Sequence, residues 1–123
     1  MLRVIHFEFP AKDPERSVQF YQSVFGWDIT KWAGPVDYWL TTTGPEGSVG
    51  INGAIVRKED FISSYPVVTI DVPSVDDFIA KVVQAGGKVI TPKHAIPGVG
   101  YNAYCADPSG IVFGIMQDDT SAG

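Results

Sequence analysis

Two histidines, His6 and His94, and one cysteine, Cys105, are the only imidazole and thiol groups of the chain, few for metal ligation or nucleophilic chemistry. His6 lies two residues from Glu8, and in a strand that spacing puts both on one face with Val4, opposite Ile5, Phe7 and Phe9. An imidazole beside a carboxylate suits proton transfer or metal ligation. Asp71 has the place of Glu8 in a second copy of the pattern, which would allow one histidine and two carboxylates to meet; the plainer reading leaves both acids hydrated at a rim. His6 itself reads as a hydrogen-bonded cavity histidine, with an acid–base role as the alternative. His94 reads as a loop residue beside Lys93, and Cys105 as a small strand filler, since no helix start or cationic cluster adjoins it. A second group is aromatic: Trp32, Tyr38, Trp39, Tyr101 and Tyr104 fall on strand-like runs, where alternation turns one of Tyr38 and Trp39, and one of Tyr101 and Asn102, inward. With His6, Asn52 and Thr69 as polar fixtures and Gly50, Gly53 and Gly114 leaving room, they would wall a pocket for a planar or apolar small molecule. Gly-x-Ser-x-Gly, a Walker loop, a paired Cys-x-x-Cys and a Gly-x-Gly-x-x-Gly in strand–helix context are all absent.

The elements that must position these residues are written twice. A shift of 63 positions brings Val4 onto Val67, Pro10 onto Pro73, Asp13 onto Asp76, Tyr38 onto Tyr101, Pro45 onto Pro108, Gly47 onto Gly110 and Val49 onto Val112. Residues 3–9 and 66–72 are β-rich runs, each stopped by a proline. Asp13-Pro14-Glu15 then opens one helix, with Asp13 as N-cap, and Val18, Tyr21, Val24 and Phe25 form its stripe, with Phe20 beside it. Ser74 caps the other, whose Val75, Phe78, Ile79, Val82 and Val83 recur at helical spacing before Gly86-Gly87 stops it. Three strand runs follow each helix, at about 27–33, 36–43 and 49–57, and at about 88–92, 100–105 and 111–117. The order is βαβββ twice. Module one spans about 1–57, a connector 58–65, module two about 66–117 and a frayed tail 118–123. A helix covers one face of each four-stranded sheet, and the free faces can curl round a shared hollow, giving an α+β domain with a central cavity.

Composition narrows the partners. The net charge of −5 repels phosphate backbones and argues against nucleic acid. A lone cysteine excludes a disulfide-stapled scaffold. No apolar run reaches the length of a membrane span and no signal peptide is evident, so a soluble cytoplasmic protein is expected.

The chain resembles the vicinal oxygen chelate superfamily, the glyoxalase, bleomycin-resistance and extradiol dioxygenase group. The resemblance is carried by His6-Phe7-Glu8-Phe9-Pro10 with Asp13-Pro14-Glu15-Arg16, by Phe20-Tyr21-Gln22-Ser23-Val24-Phe25-Gly26-Trp27, and by Gly50-Ile51-Asn52-Gly53-Ala54-Ile55. Ile96-Pro97-Gly98-Val99-Gly100 and Asp107-Pro108-Ser109-Gly110 extend it over essentially the whole chain. It implies paired modules in an open-sided mixed barrel, often completed by a homodimer partner. Catalytic members bind a divalent metal through side chains on the first and last strands of the modules. Here His6 matches the first ligand, Thr69 its counterpart, and Gly114 stands where a glutamate is usual, while 49–56 holds no carboxylate. One histidine of four expected ligands does not hold a catalytic metal against water. The resemblance therefore implies a metal-ligand-depleted, glyoxalase-like small-molecule-binding protein with no cofactor. The alternatives are a lyase, isomerase or dioxygenase with displaced metal ligands, and a metal-independent enzyme using His6 or a tyrosine. The expected ligand-binding set is His6, Glu8, Tyr38, Trp39, Asn52, Thr69, Tyr101, Tyr104 and Gly114.

Overall fold

Alternation along the strands and two capped helices build the same order twice in the computed structural model, which describes residues 1–123. The first copy is β1 (Val4–Ala11), α1 (Pro14–Phe25), β2 (Asp28–Lys31), β3 (Tyr38–Thr42) and β4 (Asn52–Arg57). The second is β5 (Val67–Asp71), α2 (Val75–Gln84), β6 (Lys88–Ile96), β7 (Gly100–Ala106) and β8 (Val112–Asp118), and a short 3-10 turn at Lys58–Asp60 lies between. The α+β class and the two βαβββ modules expected from the sequence are thus observed. The chain divides into two compact units, His6–Val67 and Met1–Ile5 with Val68–Gly123, so the first five residues go with the second copy. There Leu2 N–H donates to the Asp71 carbonyl at 2.7 Å and Asp71 N–H to the Arg3 carbonyl at 3.0 Å.

In the first unit the strands lie in the order β2-β3-β4-β1, with β1 and β4 parallel and the other pairs antiparallel. Asp13 caps α1 by accepting from Arg16 N–H, and Gly26 ends it in the left-handed region at φ 69°. Ile29, Trp39 and Ile55 are buried beneath the helix, with Phe9, Val18, Tyr21 and Trp27 packed on them. Val24 and Phe25, expected in the helix stripe, and Phe20, expected beside it, remain exposed. Gly53 is required by close approach: the Phe7 ring and carbonyl occupy the space a Cβ would take.

The second unit has the order β5-β8-β7-β6, with β5 and β8 parallel. Ser74 caps α2 through Asp77 N–H, and Gln117 Oε1 accepts from Val75 N–H, so two of its free N–H groups are satisfied. Val72, Val75, Ala103, Cys105 and Ile115 form its core, covered by Phe78, Ile79 and Val82 of α2. Cys105 is fully buried there, and burial pushes its thiol pKa up, as expected of an inert filler.

Two boundaries differ from expectation. Strand β1 runs through Pro10 to Ala11 in unbroken register with β4, and β6 continues past Pro92 to Ile96, so that His94 lies on a strand rather than in a loop; register shifts in β6 between Val89 and Thr91 and between Thr91 and His94 tolerate the missing N–H of Pro92. The tail is not frayed. Asp119 N–H donates to the Val99 carbonyl, the Ala122 carbonyl accepts from Gly98 N–H, and Ala122 is buried.

Candidate functional site

The face of the first sheet turned away from α1 carries the polar chemistry. The register sets His6 opposite Asn52 and Glu8 opposite Ala54 on β4, while Leu40 faces Ala54 from β3. Tyr38 lies on that same face and closes a hydrogen bond between its hydroxyl and His6 Nε2 at 2.7 Å. The two rings are almost coplanar, 4° apart, and 6.4 Å between centroids. Burial lowers the His6 pKa from its ordinary 6.5, so the imidazole is neutral at pH 7 and has one donor and one acceptor nitrogen. Trp32 meets Tyr38 edge-on at 6.3 Å, and its ring folds so close over Gly34 that a Cβ there would overlap it. His6, Tyr38 and Trp32 thus form one polar–aromatic cluster. Glu8 is buried beside it on the strand, 4% exposed.

Asn52 is spent on the loop. Its Oδ1 accepts from Thr43 N–H at 2.9 Å, while the Thr43 hydroxyl donates to the Ile51 carbonyl. A cavity of about 180 Å³ lies among Thr43–Asn52, at this end of the sheet. A larger one of about 240 Å³ lies on the helix side, lined by Phe9, Ser17, Tyr21, Ile55 and Pro66 and away from His6.

In the second unit Thr69 pairs with Gly114, and Gly114 with Tyr104, so these three form one row across β5, β8 and β7. A Cβ at Gly114 would lie 2.7 Å from Thr69 Oγ1 and 3.4 Å from the Tyr104 ring, so the glycine admits both side chains rather than leaving a void. Asn102 shares that face, buried, with its amide donating to the Ile115 carbonyl at 3.1 Å. Of Tyr101 and Asn102, the inward one is therefore Asn102, in alternation with Tyr104.

Trp39 and Tyr101 are placed elsewhere than expected. Both lie in the helix-side cores, beneath α1 and against α2. Each carries a lysine on its ring, Lys31 Nζ at 5.4 Å over Trp39 and Lys93 Nζ at 4.5 Å over Tyr101. These pairs are 62 positions apart, as are Asn52 and Gly114, whereas His6 and Thr69 are 63 apart. The strands after the second helix are therefore offset by one residue from the repeat read in the sequence. One residue reverses a side chain's face, so Trp39, not Tyr38, is the partner of Tyr101.

The equivalent parallel pairs His6–Asn52 and Thr69–Gly114 occupy the first and last strands of the two copies. Within neither unit do three His, Cys, Asp or Glu side chains gather as a metal-binding group. His94, exposed, has its Nδ1 3.3 Å from the Pro92 carbonyl.

The family model described as Glyoxalase/Bleomycin resistance protein/Dioxygenase superfamily matches residues 3–115. The chain belongs to this superfamily. A search of the curated proteins found no match. Among solved structures, the superfamily fold is matched by a variant of the Streptomyces coelicolor methylmalonyl-CoA epimerase in complex with 2-nitronate-propionyl-CoA. That match has 13% identity and a TM-score of 0.71, covering 100% of this chain and 99% of the other. A methylmalonyl-CoA epimerase from Mycobacterium tuberculosis matches with 11% identity and a TM-score of 0.68, over 94% and 87% of the two chains. A hypothetical protein from Bacillus halodurans C-125 matches with 12% identity and a TM-score of 0.72, over 98% and 97%. At these identities the likeness is one of fold. No helix of the chain is long and apolar enough to cross a membrane.

Proposed function

We propose that this superfamily member is a cytoplasmic small-molecule-binding protein that works without the usual catalytic divalent metal. The observation that carries the reading is the donor set at the paired strand positions: one imidazole, an amide engaged with Thr43, one hydroxyl and a glycine. A catalytic metal needs about three strong protein donors, and a neutral hydroxyl and an occupied amide do not replace histidine and carboxylate. His6, Tyr38 and Trp32 instead offer an aromatic surface with a neutral polar end, with Glu8 beside them and Thr69, Tyr104 and Gly114 as the corresponding row of the second unit. Asn52 supports the loop rather than the ligand.

The ligand we assign is uncharged, and planar or apolar. The helix-free face of the first sheet carries Glu8 and Asp28 but no lysine or arginine, since Lys31 and Arg57 both reach the Trp39 ring on the other side. An anionic CoA ester such as those bound by the epimerases would meet acidic side chains and a net charge of −5. A second reading, metal-independent acid–base chemistry, is favoured specifically by the 2.7 Å His6–Tyr38 bond, which joins two groups able to pass a proton.

The test is calorimetric titration of a panel of uncharged aromatics and of methylmalonyl-CoA, each in chelator and again with added zinc, nickel, iron or manganese. The reading expects metal-independent binding of an uncharged aromatic, weakened at least tenfold in Tyr38→Ala. Stoichiometric metal retained through purification, with binding lost on its removal, overturns it. Turnover in chelator that fails in His6→Gln would establish the second reading instead.

A further inference from the structure

Tyr38 begins β3, and the residue before it turns to the opposite face of the sheet, beside Trp39. There the Asp37 carboxylate is held from both neighbouring strands. Lys31 Nζ, at the end of β2, lies 3.1 Å from Oδ1, and Arg57 Nη2, at the end of β4, donates to Oδ2 at 3.2 Å. Both cations also lie over the Trp39 ring, and Arg57 Nη2 is 3.6 Å from Glu15 Oε1 on α1. Trp32 N–H closes the turn by donating to the Tyr38 carbonyl at 2.7 Å. Hydrogen bonds from Lys31 and then Arg57 hold the Asp37 pKa below its ordinary value, so the carboxylate stays charged throughout the range in which a histidine titrates.

We propose that Asp37 is a positioning residue: clasped by Lys31 and Arg57 behind the sheet, it fixes the start of β3 so that the Tyr38 hydroxyl meets His6 on the other face. This role rests on the reading of His6, Tyr38 and Trp32 as the binding face. An exposed ion pair contributes little to stability, and Asp37 and Lys31 are both exposed. Their effect is on direction. A hydrogen bond weakens steeply as its geometry is lost, and the His6–Tyr38 bond reaches across β4, so a small swing of β3 breaks it.

The second copy lacks this clasp. With the offset of 62 that relates Trp39 to Tyr101, Lys31 corresponds to Lys93, and both lysines lie over their rings. Asp37 and Tyr38 correspond to Val99 and Gly100, and Arg57 to Asp119. Lys93 takes its acid from α2 instead, Asp76 at 2.9 Å. A lysine over an aromatic ring is thus packing common to both copies. The carboxylate ahead of the strand and its second cation occur only in the copy that has a phenol and an imidazole to align.

Proton resonances of His6, assigned with His6→Gln, test this in the full chain without any ligand, so the role of Asp37 can fail while the binding reading stands, and the converse. Asp37→Asn should let Tyr38 swing away, admit water to the imidazole and raise the His6 midpoint by about 0.5 pH toward 6.5. Loss of a negative charge by itself acts in the opposite direction, favouring the neutral imidazole, so the sign is diagnostic. The melting temperature should stay within a few degrees of the native value. Lys31→Met should raise the midpoint less, because Arg57 still holds Oδ2, and Asp37→Glu, which keeps the charge, should recover most of the native midpoint. A midpoint that Asp37→Asn leaves unchanged or lowers overturns the proposal. So does a rise as large in Asp37→Glu as in Asp37→Asn, or a rise accompanied by loss of cooperative melting, which would make Asp37 a general support of the fold.

Discussion

The two copies of the βαβββ plan share a frame but not a chemistry. Beneath α1, Lys31 covers Trp39 and Phe7 fills the space over Gly53; against α2, Lys93 covers Tyr101, and Ile70 is paired with Ile115. The helix sides thus solve one packing problem with volumes exchanged between neighbours, large ring over glycine in one and two isoleucines in the other. On the helix-free sides, His6 bonds Tyr38 in the first copy, while Thr69, Gly114 and Tyr104 crowd together in the second. Packing positions are constrained by their neighbours in both copies. The other face is free to differ, and it does so by concentrating titratable and aromatic groups in the first.

The largest expected break in that comparison falls on the helix side. Trp39→Ala should cost about 4 kcal/mol, because it empties the centre of the first core, and should abolish cooperative melting well before it affects ligand chemistry. Tyr38→Ala, one residue away on the opposite face, should leave most of the melting temperature intact and lose ligand binding. Thermal denaturation of the two variants side by side decides whether the faces are assigned correctly; equal losses would mean they are not. Next in size is Gly53→Ala. A Cβ there overlaps the Phe7 carbonyl and ring, so a cost of about 3 kcal/mol is expected in denaturant titration. Adding Phe7→Ile, which copies the arrangement of the second unit, should recover part of that loss.

Much of the frame was legible in the residues. Asp13-Pro14 and Ser74 announce the two helix starts because a side-chain oxygen must meet free N–H groups, and both make those bonds. The alternation Phe7, Phe9 against His6, Glu8 assigns the faces of β1 because strand period is two. The assignment failed where it depended on counting across a helix and its loops. Matching Tyr38 to Tyr101 assumed a constant shift of 63, but the later strands follow 62, and one residue inverts every face. Alternation alone allows one of Tyr38 and Trp39, and one of Tyr101 and Asn102, beside the ligand, and the folded register puts Tyr38 and Asn102 there. The His6–Tyr38 bond was beyond reach for another reason: the two residues are 32 apart in the chain and on strands separated by β4, so only the folded register brings them together. Nor does periodicity reveal that Phe20 and Val24 stay exposed, since apolar spacing does not say how wide a stripe the sheet can cover.

A smaller effect isolates the polar pair itself. Tyr38→Phe keeps the ring against Trp32 and removes only the hydroxyl from His6, so about 1 kcal/mol of stability should be lost, a few degrees in melting temperature. If the hydroxyl orients a ligand, affinity should fall about tenfold in the same variant. If Tyr38 serves only as an aromatic wall, affinity should be unchanged, and the calorimetric titration distinguishes the two.

The smallest effect is also the most specific, because it depends on one proton. Burial lowers the His6 pKa below 6.5, so between its folded and unfolded values the unfolded chain binds more protons than the folded one. Stability must then fall as the pH drops below about 6.5, and this particular loss must stop growing once the pH is below the folded value. His6→Gln removes the titration while keeping a polar side chain. The stability difference between the native chain and this variant should therefore move against the native chain on going from pH 7.5 to pH 5. Histidine proton resonances followed through the same range should show a His6 midpoint below 6.5. A midpoint at or above that value would mean the imidazole gains a proton easily in the folded chain, and its neutral pairing with Tyr38 would then be the wrong description of this face.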